Sequence, residues 1–134
     1  MLVIILPSGS AKRDPEKTYN SIKEHSSYVH LFDPSKERIE TILNVYKYKW
    51  LFFLYDNEWL DRNLLPALSA LKIQTYLDAF SFYKKVFVKD DFKYYITTRM
   101  FRANTPFDLT TMNVIGQTKV ERILDGFILE ADRV

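Results

Sequence analysis

Three consecutive polar side chains, Asp56, Asn57 and Glu58, follow Tyr55 at the end of an apolar segment that runs from Trp50 to Leu54. Each of them can bind a metal ion or form hydrogen bonds, and strand interiors avoid such clusters. In α/β sheets, ligands bind outside the carboxyl ends of the strands. The next residues, Leu60–Leu71, have helical spacing, so the cluster is predicted to lie on a strand-to-helix turn. It is the leading candidate for a functional site.

Further apolar segments predict the elements that position this cluster. The predicted strands of the first half are short, and each ends at turn-forming or polar residues, as buried strands do: Leu2–Leu6, Tyr28–Phe32 and Trp50–Leu54. A helix is predicted to start at Asp14-Pro15-Glu16, where an acidic N-cap precedes proline. Helical spacing resumes from Ile39 to Tyr46. The first half therefore alternates strand and helix.

The second half has a different pattern. Two segments rich in aromatic and β-branched residues, Ala79–Val88 and Phe92–Phe101, flank Lys89-Asp90-Asp91, which is typical of a β-hairpin. Asn104–Thr111 is predicted as a loop. Val114–Leu129 is predicted as a last helix, or as a helix followed by a short strand.

These elements predict an α/β fold with three layers, in which helices cover both faces of a mostly parallel sheet with an antiparallel hairpin at its edge. Right-handed crossovers would bring the ends of the first three strands to one side. Those ends carry Ser8–Ser10, Asp33 and Asp56–Glu58. A shared site at that edge is the central functional prediction.

The composition limits the classes of function. A chain of 134 residues fits one domain with one core. Cysteine is absent, which excludes disulfides, thiolate zinc sites and a cysteine nucleophile. Gly9 is the only glycine before Gly116, so the chain has no glycine-rich phosphate loop. No apolar run approaches the ~20 residues of a spanning helix, so we expect no membrane span and a cytoplasmic location.

Nucleic acid is a disfavoured partner on the charge balance. The net charge is only +2, and acidic residues dilute the basic and aromatic runs. Those runs are Tyr46–Trp50, Lys84-Lys85 and Lys93–Tyr95, which a nucleic-acid platform could use for stacking and phosphate contacts. Aromatic packing in a small core explains most of these rings more simply. The two histidines, His25 and His30, are interpreted as structural or solvent-facing.

Four segments together resemble the GT-A glycosyltransferases of the family 2 type. They are Leu2–Pro7, Leu31–Ser35, Trp50–Leu60 and Arg99–Arg102. In that family an opening strand ends in proline and a small polar residue, a second ends in an aspartate, and a third ends in a D-x-D metal motif. The resemblance covers about residues 1 to 102, with compressed spacing. It implies a single GT-A-like domain, with a nucleotide-binding half at 1–72 and a reduced acceptor-side half at 73–134.

The activity implied by the resemblance is transfer of a sugar from a nucleotide-diphosphate donor to the hydroxyl of an unknown acceptor. A divalent cation, Mn²⁺ or Mg²⁺, would neutralise the diphosphate leaving group. By resemblance, Asp56 and Glu58 are the metal ligands. The nucleotide-binding residues implied are Pro7, Ser8, Asp33, Asp56, Arg99 and Arg102.

Two registers of the metal motif remain open. Alignment on Glu58-Trp59-Leu60 puts Tyr55 and Asn57 where the family has aspartates, whereas a shift of one residue gives Asp56-Asn57-Glu58 as a D-x-E substitute. Residues i and i+2 of an extended segment point the same way, so Asp56 and Glu58 can share an ion there. The general base stays unassigned among four aspartates: Asp78, Asp90, Asp91 and Asp108.

Each signal also has a plainer interpretation. Asp56-Asn57-Glu58 is also typical of the start of a helix, and Asp33-Pro34-Ser35 of a turn with an N-cap. Arg99 and Arg102 are also typical of exposed strand ends. Two functional alternatives to the transferase therefore remain: a catalytically inactive GT-A-like binding module, and a nucleic-acid-binding α/β domain.

Overall fold

The computed structural model describes residues 1–26, 28–45, 50–69, 77–116 and 119–130. Strands account for 46% of the structure and helices for 20%. The strands are β1 Leu2–Leu6, β2 Tyr28–Leu31, β3 Trp50–Tyr55, β4 Glu58–Leu60, β5 Ala79–Val88, β6 Asp91–Arg102 and β7 Val120–Glu130. The helices are α1 Pro15–Ile22, α2 Ile39–Val45 and α3 Leu64–Ser69, and a 3₁₀ turn spans Lys23–His25.

All seven strands belong to one sheet with the order β2-β1-β3-β6-β5-β7-β4. Strand β1 pairs in parallel with β2 on one side and with β3 on the other. Strand β6 is antiparallel to both β3 and β5, β7 runs parallel to β5, and β4 is antiparallel to β7. The sheet therefore joins the two predicted halves, 1–72 and 73–134, through the pairing of β3 with β6 and that of β4 with β7.

The predicted three-layer, GT-A-like α/β fold is wrong. The sheet is mixed and curls into a half-barrel, and few helices accompany it. The first three strands, the helix starting after Asp14 and the β5–β6 hairpin are confirmed. The Asp14 carboxylate accepts a hydrogen bond from the Lys17 amide at 3.1 Å, as an N-cap does. The errors lie in the elements that follow β3 and β6.

The predicted helix near the C-terminus is the eleven-residue strand β7. Its pairing with β5 is interrupted, because Phe82 pairs with Ile123 whereas Lys84 pairs with Ile128. Four residues of β7 thus face a single residue of β5, and Gly126 within this bulge has φ +81°. The bulge breaks the alternation of a strand and leaves apolar residues at i, i+4 spacing, which resembles a helix.

The helix predicted from Leu60 to Leu71 is also shorter than expected. Leu60 belongs to β4, α3 begins at Leu64, and Leu71 lies outside the described residues. The polar cluster at 56–58 therefore forms a tight turn between two strands, with Glu58 as the first residue of β4.

Two apolar clusters cover opposite faces of the sheet. Val3, Phe52 and Phe82 belong to the first cluster together with Ile22 of α1 and Leu64 of α3. The second cluster contains Leu2, Ile4, Leu51, Phe53 and Phe101, with Ile42 of α2 and residues of the 107–114 segment packed against them. Helices α1 and α2 consequently lie on opposite faces of the parallel part of the sheet. No helix in the described ranges has the length and apolar character that crossing a bilayer requires.

Candidate functional site

The strand order reverses between β1 and β3. The chain passes from β1 to β2 on one side and then returns to β3 on the other side of β1. The helices of these two connections lie on opposite faces. Such a switch point leaves a crevice outside the carboxyl ends of the two central strands, where ligands of α/β sheets bind.

A pocket of about 450 Å³, open to solvent, lies at this switch point. Its lining comes from the ends of β1 and β3 and from two more distant strands: Ser8, Ser10, Tyr55, Asn57, Lys84 and Glu130. Every lining side chain carries a polar group. We call this cavity the switch-point pocket.

Asp56 anchors the loop that follows β1. Its Oδ1 accepts hydrogen bonds from the Ser8 amide at 3.0 Å and from the Ser8 hydroxyl, and its Oδ2 lies 3.1 Å from Arg13 Nε. The Asp56 carbonyl also accepts a 2.7 Å hydrogen bond from the Asp14 amide. Because the carboxylate is 2% exposed whereas Arg13 is 57% exposed, the pair is a buried acid covered by a surface arginine. Asp56 thereby fixes one wall of the switch-point pocket.

Glu58 is fully buried beneath the pocket. Arg99 donates to it twice, from Nη1 to Oε1 at 2.6 Å and from Nη2 to Oε2 at 2.8 Å. The Tyr55 amide donates to Oε1 at 2.7 Å. Burial alone would raise the pKa of Glu58, but the Arg99 guanidinium and the Lys84 ammonium lower it below the ordinary glutamate value. Burial likewise opposes the charge of Arg99, yet Glu58 raises the pKa of that guanidinium. Both groups are therefore ionised.

Lys84 completes a buried charge cluster. Its Nζ lies 2.6 Å from Glu58 Oε2 and 2.7 Å from Glu130 Oε1. Two cations and two anions then alternate from β6 through β4 and β5 to β7: Arg99, Glu58, Lys84 and Glu130. The cluster is neutral as a whole, which is how buried charges are tolerated. Lys84 and Glu130 also present polar atoms to the switch-point pocket.

The predicted nucleotide-binding residues at the ends of β1 and β2 lie on the expected edge. Ser8 lines the pocket, and the exposed Pro7 precedes it. Asp33 follows β2, which is two strand spacings from β3, roughly 10 Å. Its carboxylate accepts hydrogen bonds from the Ser35 hydroxyl at 2.6 Å and the Ser35 amide at 3.0 Å, and these lower its pKa. Asp33 therefore shares the edge but caps its own turn.

The predicted arginines occupy other positions. Arg99 is paired with Glu58, and its guanidinium lies over the Tyr55 ring, 5.1 Å from the centroid. Arg102 pairs with Trp50 at the opposite end of β3 and donates to the Leu77 carbonyl at 2.9 Å from Nε. That end is roughly 16 Å from Tyr55 along the strand. Arg102 is thus remote from the switch-point pocket.

The two predicted metal ligands face different cations. Asp56 bonds to Ser8 and Arg13, whereas Glu58 bonds to Arg99 and Lys84. Within the described ranges, no group of three or more His, Cys, Asp or Glu side chains is placed to hold a metal ion. The Mn²⁺ or Mg²⁺ site stays a prediction of the resemblance.

The four candidate general bases lie away from the pocket lining. Asp78 accepts from the Lys119 amide, and Asp108 accepts from the Thr110 amide. Asp90 and Asp91 form the tip of the β5–β6 hairpin. The carboxylates of Asp78, Asp91 and Asp108 accept backbone hydrogen bonds at turns and strand ends. His30 bonds to Glu37 at 2.7 Å, consistent with its structural interpretation.

Sequence reasoning placed Ser8–Ser10 at this edge but missed the contributions of Lys84 and Glu130 to the pocket. Lys84 did carry a signal, because Phe80, Phe82 and Val86 are buried on the same side of β5 and a lysine among them requires a buried anion. No comparable signal marked Glu130, since it follows Val114–Leu129, which was predicted as a last helix or as a helix followed by a short strand.

No protein-family model matches the chain, and no curated protein matches it significantly. The resemblance to family 2 glycosyltransferases therefore stays a prediction from the four sequence segments.

Proposed function

We propose that this protein binds a nucleotide-linked sugar in the switch-point pocket and that it does so as a binding module. The observation that carries this proposal is the placement of the pocket: it opens at the carboxyl ends of the parallel strands β1 and β3, whose connections cross to opposite faces, the position at which α/β sheets bind ligands. A volume of about 450 Å³ falls within the usual range of small-molecule sites.

The lining suits a ligand with many hydroxyl groups. Sugars require donors and acceptors close together, and the Asn57 amide supplies both beside the Ser10 hydroxyl. The Tyr55 ring supplies a flat apolar surface for a base or for the C–H face of a sugar. Lys84 supplies positive charge near a phosphate, although Glu58 and Glu130 neutralise much of it.

Binding without a protein-held metal ion is favoured over metal-dependent transfer. Both carboxylates that would hold the ion already accept hydrogen bonds from cationic side chains, and Glu58 is fully buried. Recruiting Glu58 to a metal would strand Arg99 without its partner, which is costly for a buried charge. Sugar transfer assisted by Mn²⁺ is the second candidate, on the resemblance alone.

A thermal-shift screen tests the proposal. Uridine- and guanosine-diphosphate sugars are added with EDTA and, separately, with Mn²⁺. We expect at least one donor to raise the melting temperature in EDTA, because a ligand that binds the folded state stabilises it, by about 2.7 kcal/mol at 100 times its Kd.

A matched pair of variants locates the site. Asn57→Ala should abolish the shift, whereas Asn20→Ala should keep it, because Asn20 is an exposed residue of α1 outside the pocket lining. A shift that requires Mn²⁺ would favour the transferase instead. No shift with any donor would overturn the proposal.

A further inference from the structure

The described residues cover one face of the sheet over only half its width. Helix α2 and the 107–114 segment pack on β1, β3 and the last residues of β6, where they form the second apolar cluster. On the same side, the outer half of the sheet carries a row of aromatic and apolar side chains. They are Trp59, Tyr83, Phe87, Phe92, Tyr94, Ile96, Phe127 and Leu129. We call these eight residues the aromatic face.

The strand register places these side chains together. On β5 and β6, Tyr83 pairs with Ile96 and Phe87 pairs with Phe92, so the odd residues of β5 face the even residues of β6. On the outer strands, Trp59 of β4 pairs with Leu129 of β7. Four strands therefore contribute to one continuous surface.

Ring contacts confirm the placement. Phe87 packs edge-on against Phe92 at 5.0 Å between centroids and lies parallel to Trp59 at 6.5 Å. Phe127 contacts Tyr94 at 5.7 Å and Tyr83 at 6.4 Å. The rings form two groups, and the Lys85 ammonium lies between them, within 6.0 Å of rings in both.

The free area of the face is concentrated on β6. Phe92 is 40% exposed, Ile96 53% and Tyr94 59%. Large exposed aromatic residues clustered on a sheet mark an interaction surface, whereas single ones do not. Residues 91–98 also precede the part of β6 that pairs with β3, which begins at Met100. The rings are thus accessible, and so is the edge of residues 91–98 that does not pair with β5.

Three cations lie over the rings. Lys17 of α1 places its Nζ 3.6 Å from the Trp59 centroid, Lys85 lies 4.0 Å from that of Phe92, and the Arg122 guanidinium lies 5.6 Å from that of Tyr83. At the paired positions of the four strands, this side of the sheet carries no Asp or Glu. The surface therefore combines stacking rings with positive charge.

We propose that the aromatic face binds single-stranded nucleic acid, with bases stacked on Tyr94, Phe92 and Trp59 and phosphates held by Lys17, Lys85 and Arg122. Every base has a flat face that stacks on aromatic rings, and cations beside the rings reach the backbone. This site lies on a face of the sheet, apart from the switch-point pocket at its edge, so it is independent of the proposed sugar-nucleotide binding.

Charge complementarity selects a polyanion over other occupants. A neutral glycan would require carboxylate or amide side chains beside the rings, and the face offers cations there. A second copy would bring the same three cations to the interface and repel the first. Of the basic runs identified in the sequence, Lys85 and Tyr94 belong to the aromatic face, whereas Trp50 is buried and Lys84 is paired with two glutamates. The functional cations are those that folding brings to the rings.

Fluorescence anisotropy with labelled 15-nucleotide poly(dT) and poly(U) tests the proposal. We expect both single strands to bind at low salt and the matching duplex to bind at least tenfold more weakly, because its bases are already stacked. With three phosphate contacts, the logarithm of affinity should fall with the logarithm of salt with a slope of roughly −2. Lys85→Gln should reduce that slope by about 0.7, whereas Lys36→Gln, which changes an 83% exposed lysine elsewhere, should leave it unchanged.

Stacking is tested by a matched pair of tyrosines. Tyr94→Ala should weaken binding about tenfold, a typical loss for one stacked base. Tyr19→Ala should not weaken it, because Tyr19 lies on α1, outside the aromatic face. Tyr19 is a suitable control because it is also exposed and also has a lysine near its ring. The chain has two tryptophans, and Trp50 is buried, so quenching of fluorescence by poly(dT) should be lost in Trp59→Phe.

Circular dichroism and thermal melts establish that each variant is folded, and the exposed position of Tyr94 protects that variant from a loss of packing. Equal affinity for single strands and duplex would overturn the proposal, because charge alone would then explain binding. Equal losses in Tyr94→Ala and Tyr19→Ala would overturn it too. An absence of binding at low salt would also overturn it.

Discussion

Arg99 Nη1 lies 2.6 Å from Glu58 Oε1, and Arg99 Nη2 lies 2.8 Å from Glu58 Oε2, although the two residues are 41 positions apart in the chain. This two-point contact ties the first residue of β4 to β6, two strands that are not neighbours in the sheet. Lys84 extends the connection to β5 and, through Glu130, to β7. One buried cluster thus links all four strands of the outer half of the sheet.

Removing the charge of Glu58 should therefore destabilise the protein strongly. Glu58→Gln keeps the shape of the side chain but leaves Arg99 and Lys84 with a single carboxylate between them. We expect the free energy of unfolding to fall by about 3–5 kcal/mol, the usual cost of breaking a buried pair. Urea denaturation followed by circular dichroism measures it.

The control is Glu121→Gln, which makes the same chemical change at an exposed position of β7. Its effect should stay within about 0.5 kcal/mol. Equal effects of the two substitutions would show that the buried cluster contributes no special stability.

The same carboxylate should make stability depend on acid. The pKa of Glu58 is lower in the folded protein than its ordinary value of about 4.5, chiefly because Arg99 and Lys84 outweigh the effect of burial. The folded state consequently binds this proton more weakly than the unfolded chain does. Its contribution is complete above about pH 5 and is lost as the pH falls through the folded pKa.

Unfolding free energies measured from pH 7 down to pH 3 test this dependence. The difference between wild type and Glu58→Gln should be constant near neutrality and shrink in acid. Asp33 and Glu37 also have lowered pKa values, but both are partly exposed and present in the two proteins, so they cancel in the difference. A difference that grows in acid would contradict the assignment.

The sequence revealed the edge on which the site lies but not the contacts within it. The apolar runs of β1 and β3 and the polar residues after them follow from local pattern alone. The role of Glu58 does not, because its partners at positions 84 and 99 approach only after β5 and β6 have folded. A carboxylate that follows a strand looks the same whether it binds a metal ion or a buried arginine.

The outer half of the sheet was harder to predict for a related reason. In β7 the bulge between Ile123 and Ile128 replaces the alternation of a strand with helix-like spacing. Strand β4 has only three residues, too few to show any period. Both strands are specified by pairing with distant parts of the chain, and local sequence carries little of that information. The curled half-barrel and the aromatic face depend on these two strands.

Asp56 should matter for the loop after β1 more than its surface partner does. Asp56→Asn retains the size of the side chain but replaces an acceptor of the Arg13 and Ser8 hydrogen bonds with an amide. Because Asp56 is almost completely buried, we expect a loss of about 1–3 kcal/mol in unfolding free energy. Arg13→Gln should cost less than about 1 kcal/mol, since Arg13 is largely exposed.

Denaturation of the two variants side by side measures the contrast. The opposite order would mean that Arg13, and not the buried carboxylate, holds the loop. Limited proteolysis of the 7–14 segment offers a second measurement, in which Asp56→Asn should be cleaved faster than wild type.

Gly126 should tolerate no side chain, because two separate costs meet at that residue. Its φ is +81°, a conformation that residues with a Cβ rarely adopt. A Cβ there would also lie 2.7 Å from Leu64 Cα and 2.8 Å from the Asn63 carbonyl carbon, where α3 begins against the bulge of β7.

Gly9 is the control that separates the cost of the backbone conformation from the cost of the steric clash. Its φ is +71°, but a Cβ at that residue would have no other atom within 4 Å. Gly9→Ala should therefore cost only about 1–2 kcal/mol, the cost of the backbone conformation, and Gly126→Ala distinctly more. Urea denaturation of both variants compares them, and similar losses would mean that the bulge and α3 move apart without cost, so that their close approach does not stabilise the outer half of the sheet.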